Sequence, residues 1–213
     1  MLPILAFDTS AAHCAAALLL PDRVILRDEA MDKGQAERLI PMLEDLLAEG
    51  GIGWSDLRAL AVGTGPGNFT GVRIAVAAAR GLALGLGIPV VGITTLEALA
   101  FEHGNALVAQ DARRGMAYVQ TFYPNGDAEL VPAGTLPRSI AARAEPVVVG
   151  DLAELYAAAH NWLPVVKPAY PLAEAIARKA LLVMDSRPER PAPFYLRGAD
   201  AAPPSDPPPV ILP

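Results

Sequence analysis

Four groups of residues hold what chemistry this chain can offer. Asp8-Thr9-Ser10 sets a carboxylate and two hydroxyls at the end of a short apolar run, which could hold an anion or a metal. Gly63-Thr64-Gly65-Pro66-Gly67-Asn68 is a glycine-rich loop of the kind that can cradle a phosphate. Asp111 stands beside Arg113 and Arg114. The last group is His13, His103, His160 and Cys14.

Each group also has a plain structural reading. Asp, Thr and Ser commonly bond their own backbone in turns, and taken alone Asp8-Thr9-Ser10 reads as such a turn. The glycine loop lacks the Lys followed by Ser or Thr of a Walker loop, and Asn68 stands where a dinucleotide fingerprint needs its third glycine. Pro66 removes one amide that could face an anion. Thr70 is placed to cap the following helix, whose start would attract anions. The loop therefore reads first as a structural turn, with a nucleotide site the alternative and Gly65 and Gly67 its contact residues. Asp111-Ala112-Arg113-Arg114 fits a solvated, ion-paired turn better than an acid–base site. The three histidines have no metal-ligand spacing, and no G-x-S-x-G elbow occurs. Cys14, the single cysteine, lies in an apolar run where a buried inert thiol is expected; with no internal disulfide, a reducing compartment fits.

The elements that must position these residues follow from patterning. Ala59–Val62, the loop, a helix from Phe69 or Thr70 to about Gly87, and Ile88–Ile93 make one βαβ unit. Its helix is small-surfaced, with Ala75, Ala77, Ala78, Ala79, Gly81, Ala83 and Gly85, so it packs tightly on its own sheet, on another helix, or on both. Ahead of it, Ile4–Phe7, Cys14–Leu20 and Val24–Arg27 predict an antiparallel meander. Gln35–Glu49 is an amphipathic helix with Ala36, Leu39, Ile40, Leu43, Leu46 and Leu47 on one side. Pro41 should kink or loosen it, and Gly50-Gly51 ends it. Thr94 and Glu97 offer a cap for a helix over Leu96–Phe101. After a break at Glu102–Asn105 come strands at Ala106–Gln110 and Met116–Tyr123 and a hairpin at Asn125-Gly126. Glu129–Val131 would pair back. Pro146–Val149 is a further strand, Asp151-Leu152 caps a helix to about His160, and Leu172–Met184 is a last amphipathic helix. Phe194-Tyr195-Leu196 would dock as an extended piece within a tail that, from Pro188, holds nine of the 21 prolines. The domains read as 1–103, 104–187 and a Pro-rich tail, 188–213. Asp8 and Asp111 each end the opening strand of their half, where a duplicated two-lobe fold would aim them at a central cleft.

Composition bounds the function. Hydrophobic residues are 53% of the 213 and charged residues 19%, enough for a large core. The net charge of −6 argues against holding RNA or DNA unaided, since phosphates call for a basic surface. The N-terminus lacks a basic region and Asp8 interrupts its apolar run, so no signal peptide is expected. Gly81–Leu96 contains Pro89 and reads as helix plus strand and not as a membrane span. A cytoplasmic protein is expected.

Ile4–Ser10 (ILAFDTS), Glu37–Leu43 (ERLIPML), Val62–Arg73 (VGTGPGNFTGVR), Gly81-Leu82-Ala83, Leu96–Leu99 (LEAL) and Asp111-Ala112-Arg113 occur in the order and spacing of the TsaB (YeaZ) family. The resemblance spans residues 1–123 and continues thinly to Tyr195-Leu196-Arg197. It implies an α/β, actin-like ASKHA fold: two lobes, each a ribonuclease-H-like mixed sheet with helices. It implies a non-catalytic subunit in making N6-threonylcarbamoyladenosine in tRNAs that read codons starting with A. Such a subunit binds no cofactor alone. It pairs with the metal-binding TsaD, is joined by the ATPase TsaE, and meets tRNA only through the complex; ATP and the metal ion are used by the partners. The partner surface, which can also make a homodimer, would lie on helices 35–49 and 70–87: Glu37, Arg38, Ile40, Pro41, Leu43, Glu44 and Leu47, with Thr70, Arg73, Ile74, Ala77, Ala78, Gly81 and Leu82. The chain departs from the family pattern at Asn68 (usually Ser), Gln35 (often His) and Met116 (usually polar). Two other functions stay open: an independent ATP-dependent phosphotransferase built on Asp8, Thr9 and the glycine loop, and a protease, for which neither a metal motif nor a nucleophile is present.

Overall fold

The computed structural model describes residues 2–140, 146–161, 164–186 and 189–197; the tail beyond Arg197 lies outside them. The chain folds as mixed α/β around two sheets. The first takes β1 (Ile4–Asp8), β2 (His13–Leu19), β3 (Val24–Ala30), β4 (Ala59–Gly63) and β5 (Val90–Ile93) in the order β3-β2-β1-β4-β5. Strands β1 to β3 form the expected antiparallel meander, and β4 and β5 add parallel to β1. The second sheet uses β6 (Ala106–Asp111), β7 (Met116–Phe122), β8 (Glu129–Pro132) and β9 (Val147–Val149) in the order β8-β7-β6-β9. Again a meander is followed by a parallel strand on its first member, so the second sheet repeats the first with one strand fewer. The connection after β7 is longer than a two-residue Asn-Gly hairpin: Gly126 N–H returns to the Thr121 carbonyl.

Every residue of β1 is buried, because both faces of its sheet are covered. Leu5 and Phe7 point to a core shared with α1 (Gln35–Gly50) and α2 (Phe69–Leu86). Ile4 and Ala6, one residue out of phase, point to a core formed with α5 (Leu172–Val183), through Ile176 and Ala180. This corrects the lobe boundary. The last helix returns to the first sheet, so the first lobe takes residues from both ends of the chain and 104–187 is not one unit. The reason is physical: without α5, the alternate residues Ile4, Ala6, Ala59 and Ala61 would face water.

α3 (Thr95–Ala100) joins the lobes. Leu96 and Ala100 enter the second lobe's core and Ala98 enters the α5 core. Thr94 and Glu97 close a reciprocal capping box, as their spacing predicts. α4 (Ala153–Ala159) covers the other face of the second sheet through Tyr156; Asp151 does not cap it.

Two helix expectations need correction. α1 is continuous through Pro41, which stands on its exposed side. The cap of α2 is Asn68 and not Thr70: Asn68 Oδ1 accepts from the Gly71 amide at 3.0 Å. α2 is also long and apolar enough to cross a membrane by length and composition. Here Val72, Ala75, Val76, Ala79 and Ala83 of that helix are buried in the first core.

Candidate functional site

The glycine motif and Asp8-Thr9-Ser10 are brought together, with their backbones in close approach. The Asn68 amide donates to the Ser10 carbonyl at 2.6 Å, and Thr9 Oγ1 donates to the Gly71 carbonyl at 2.6 Å. A Cβ on Gly67 would stand 2.4 Å from the Ser10 carbonyl oxygen, and one on Gly71 1.8 Å from that of Thr9. These glycines are needed for close approach of two chain segments. The loop's amides serve the fold as well: Thr64 donates to Ile93, and Thr95 donates back to the Gly65 carbonyl. Gly65 is buried at φ 88°.

Asp8 is fully buried. Its Oδ1 accepts from the Ser10 amide and hydroxyl, both at 2.8 Å, and faces His13 Nε2 at 2.9 Å. Its Oδ2 is turned toward Gly63, where a Cβ would come within 1.8 Å. The opening-strand carboxylate is thus held beneath the glycine loop and not aimed into solvent. Asp111, its counterpart at the end of β6, is exposed and accepts from the Arg113 amide at 2.8 Å. Arg113, Arg114 and Gly115 all take positive φ, so the charged turn is a tight left-handed one.

A cleft of about 930 Å³ opens between the lobes. Ser10, Gly67 and Asp111 line it, whereas Asp8, Thr9 and Gly65 lie behind its wall. Asp32, Asn68, Arg113, Arg114, Tyr118, Asp151, Tyr195 and Arg197 complete much of its lining. Among the described residues no group of three or more His, Cys, Asp and Glu side chains is arranged to hold a metal ion.

His13, which the sequence leaves isolated, is part of this centre. Hairpin arithmetic could have found it: Asp8 pairs with Ala15, and Ala15 pairs with Asp28, so His13 lies two residues along on the same face as both carboxylates. Its Nδ1 is 3.6 Å from Asp28. Burial alone would lower the imidazole's pKa; the Asp8 hydrogen bond and the charges of Asp8 and Asp28 override it and hold the pKa above the ordinary value. A raised folded pKa stabilises the fold fully below the unfolded value of about 6.5 and loses that contribution as pH rises through the folded value. His13→Gln should therefore cost most stability near pH ~5.5 and least near pH ~8.5. Urea unfolding at the two pH values tests this; a cost that grows with pH would contradict it. Burial pushes the Cys14 thiol up to about 11, consistent with an inert side chain.

The two helices singled out as a partner surface lie side by side on the first sheet. On α1, Glu37, Ile40, Pro41 and Glu44 face outward, and Arg38 is half-buried. Leu43 and Leu47 do not belong with them. Both are buried against the first sheet, because they fall on the i, i+4 stripe that includes Leu39 and Leu46. Arg38 pairs with both oxygens of Glu29 at 2.8 and 2.7 Å and with Asp45 at 3.2 Å, which lowers the Glu29 carboxyl's pKa and ties α1 to the sheet edge. On α2, Thr70, Arg73, Ala77 and Gly81 are exposed, while Ile74, Ala78 and Leu82 are half-buried against the first core. Leu84 is 80% exposed on the same helix. A Cβ on Gly81 or Gly85 would meet nothing within 4 Å.

Residues 29–135 match the family model described as TsaD: tRNA N6-adenosine threonylcarbamoyltransferase. The tRNA threonylcarbamoyladenosine biosynthesis protein TsaB of Escherichia coli (strain K12) is 40% identical over 121 residues, covering 54% of this chain and 52% of that protein. The match thus spans about half the length of these curated TsaB relatives. Solved structures align over nearly the whole chain. YeaZ from Pseudomonas aeruginosa has a TM-score of 0.72 at 31% identity, over 88% of this chain and 94% of that one. An uncharacterized protein with similarity to peptidase YEAZ, also from Pseudomonas aeruginosa, has a TM-score of 0.76 at 32% identity, over 92% of this chain and all of that one. With motifs, topology and these likenesses in agreement, the chain belongs to the TsaB (YeaZ) family.

Proposed function

We propose that this protein is a non-catalytic activating subunit in the synthesis of N6-threonylcarbamoyladenosine in tRNAs that read codons starting with A. It acts by docking TsaD on the outward faces of α1 and α2, and TsaE joins the pair. In this reading its two sheets are the lobes of an actin-like ASKHA fold, each with the order of a ribonuclease-H-like sheet. ATP and the metal ion work on the partners, and tRNA is met through the complex.

The observation that carries this reading is the contrast among glycines. Gly63, Gly67 and Gly71 are each required by a neighbour inside the chain; Gly81 and Gly85 are not. A helix-interior glycine costs about 1 kcal/mol relative to alanine, so two of them facing open space call for a neighbour outside the chain. The stripe Arg73, Ala77, Gly81 and Leu84 offers another helix a close approach. The same surface can serve a homodimer. The phosphotransferase reading would need Asp8 and Thr9 at the cleft, and both lie behind its wall, where the Thr9 hydroxyl and Asp8 Oδ1 are hydrogen-bonded and Asp8 Oδ2 is buried toward Gly63.

The test is depletion and reconstitution. Removing the protein should abolish tRNA threonylcarbamoylation, and restoring this chain should recover it. Light scattering should show a stable complex with TsaD, with modification only in the mixture. Modification at normal levels without the chain, or steady ATP turnover by the chain alone that Asp8→Ala abolishes, would refute the proposal.

A further inference from the structure

We infer that the segment Pro191–Leu196 is a latch between the lobes, and that its Tyr195 is a positioning residue for the outward face of α2. The second half of this statement rests on the reading of α2 as a partner surface.

The segment is irregular, yet it is fastened at four places. Pro191 is buried, close enough to Gly92 that a Cβ there would approach it to 3.2 Å. The Phe194 amide donates to the Thr64 carbonyl at 2.8 Å, at the mouth of the glycine loop. The Phe194 carbonyl comes within 3.1 Å of where a Cβ on Gly65 would stand, so the loop's second glycine makes room for this segment. The Tyr195 ring lies 4.8 Å from the Phe69 ring, tilted by 30°. Leu196 then packs against the second lobe's core. Six residues thus run from the first lobe to the second along the cleft wall, to which Phe194, Tyr195 and Leu196 contribute.

Among the described residues the lobes also meet at α3, and the chain crosses back from the second lobe into α5. Two packed bodies that meet at such a junction can rotate about it; a further tie on the cleft side fixes the angle between them. The latch supplies that tie. It also reaches the partner face. Phe69 is the first residue of α2, and the Arg73 guanidinium lies over the same ring, 4.3 Å from its centroid. Arg73 stands exposed in the stripe with Ala77 and Gly81. Tyr195 therefore holds from the cleft side the ring that orients a cation on the outer side. Any coupling of this kind is reciprocal: if the docked latch favours partner binding, partner binding holds the latch.

The test uses the full chain with Tyr195→Ala, Tyr195→Phe and Leu196→Ser. Hydrogen exchange of the Phe194 amide reads the latch directly, and titration with TsaD reads the positioning. Tyr195→Ala should speed Phe194 exchange and weaken TsaD binding by about three- to tenfold each, the range an aromatic pair supplies. Tyr195→Phe, which keeps the stacked ring, should restore both. Leu196→Ser, which loosens the far end, should speed Phe194 exchange as well. Unchanged exchange in both Tyr195→Ala and Leu196→Ser would overturn the latch. Faster exchange in Tyr195→Ala with unchanged TsaD affinity would overturn the positioning role alone. If the wild-type chain does not bind TsaD, the proposed function and the positioning role fall together, and the latch is decided by exchange.

Discussion

Gly71→Ala should destabilise the protein by about 3 kcal/mol or more, because the added methyl has nowhere to go. Its Cβ would stand 1.8 Å from the Thr9 carbonyl oxygen and 2.9 Å from the carbonyl carbon. Neither atom can retreat easily. Thr9 is fully buried, follows a strand covered on both faces, and donates its hydroxyl to Gly71's own carbonyl. For a chain of this size a loss of that order lowers the melting temperature by roughly 10 °C. Ten residues along the same helix the sign reverses. Gly81→Ala meets open space in a helical backbone and should raise stability by about 0.5–1 kcal/mol. Thermal unfolding of both variants measures the contrast. A Gly71→Ala protein that melts with the wild type would show that the helix does not press on Thr9 as described. The pair also separates two uses of glycine that look alike in sequence: one admits a neighbouring backbone of the same chain, the other leaves a surface low.

That contrast marks where sequence reading reaches its limit. The βαβ unit around the glycine loop, the opening meander and the Thr94–Glu97 capping box are local patterns, and each is found at its expected place, with boundaries within a residue or two except that β3 runs three residues past Arg27 to Ala30. The docking of Phe194–Leu196 also follows from local composition, since three apolar residues in a Pro-rich stretch need a surface to cover. What local pattern does not carry is partnership over distance. The return of α5 to the first sheet depends on which alternate face of β1 lacks a cover, and periodicity within α5 does not name its partner. The burial of Asp8 on β1 depends on Gly63 of β4 and His13 of β2, so it joins three different strands. Leu43 closes the motif that carries the family resemblance and Leu47 lies one turn beyond it, yet the helical stripe that holds both faces inward. A motif marks a stretch; the phase of the helix decides which of its side chains a partner can reach.

Ala77→Arg is accordingly the sharpest test of the partner surface, with TsaD binding expected to weaken about 100-fold or more while the fold is kept. Ala77 is exposed and lies between Arg73 and Gly81 on the stripe. Helices that cross through small residues bring their axes to about 8 Å, and an arginine there must either be buried without a partner or hold the helices apart. Exposed helix positions away from other contacts tolerate substitution within about 0.5 kcal/mol, so unfolding should not confound the result. Ala78→Arg would be a poorer probe, since Ala78 is half-buried against the first core and a bulky charge there strains the chain itself. Leu43→Arg would report on stability alone, because Leu43 is fully buried. The readouts are TsaD affinity, melting temperature and threonylcarbamoylation in the reconstituted mixture. Lost affinity and lost modification at an unchanged melting temperature would place the partner on α2. Full affinity in both Ala77→Arg and Gly81→Arg would take α2 out of the interface and leave its two unexplained glycines without a partner to account for them.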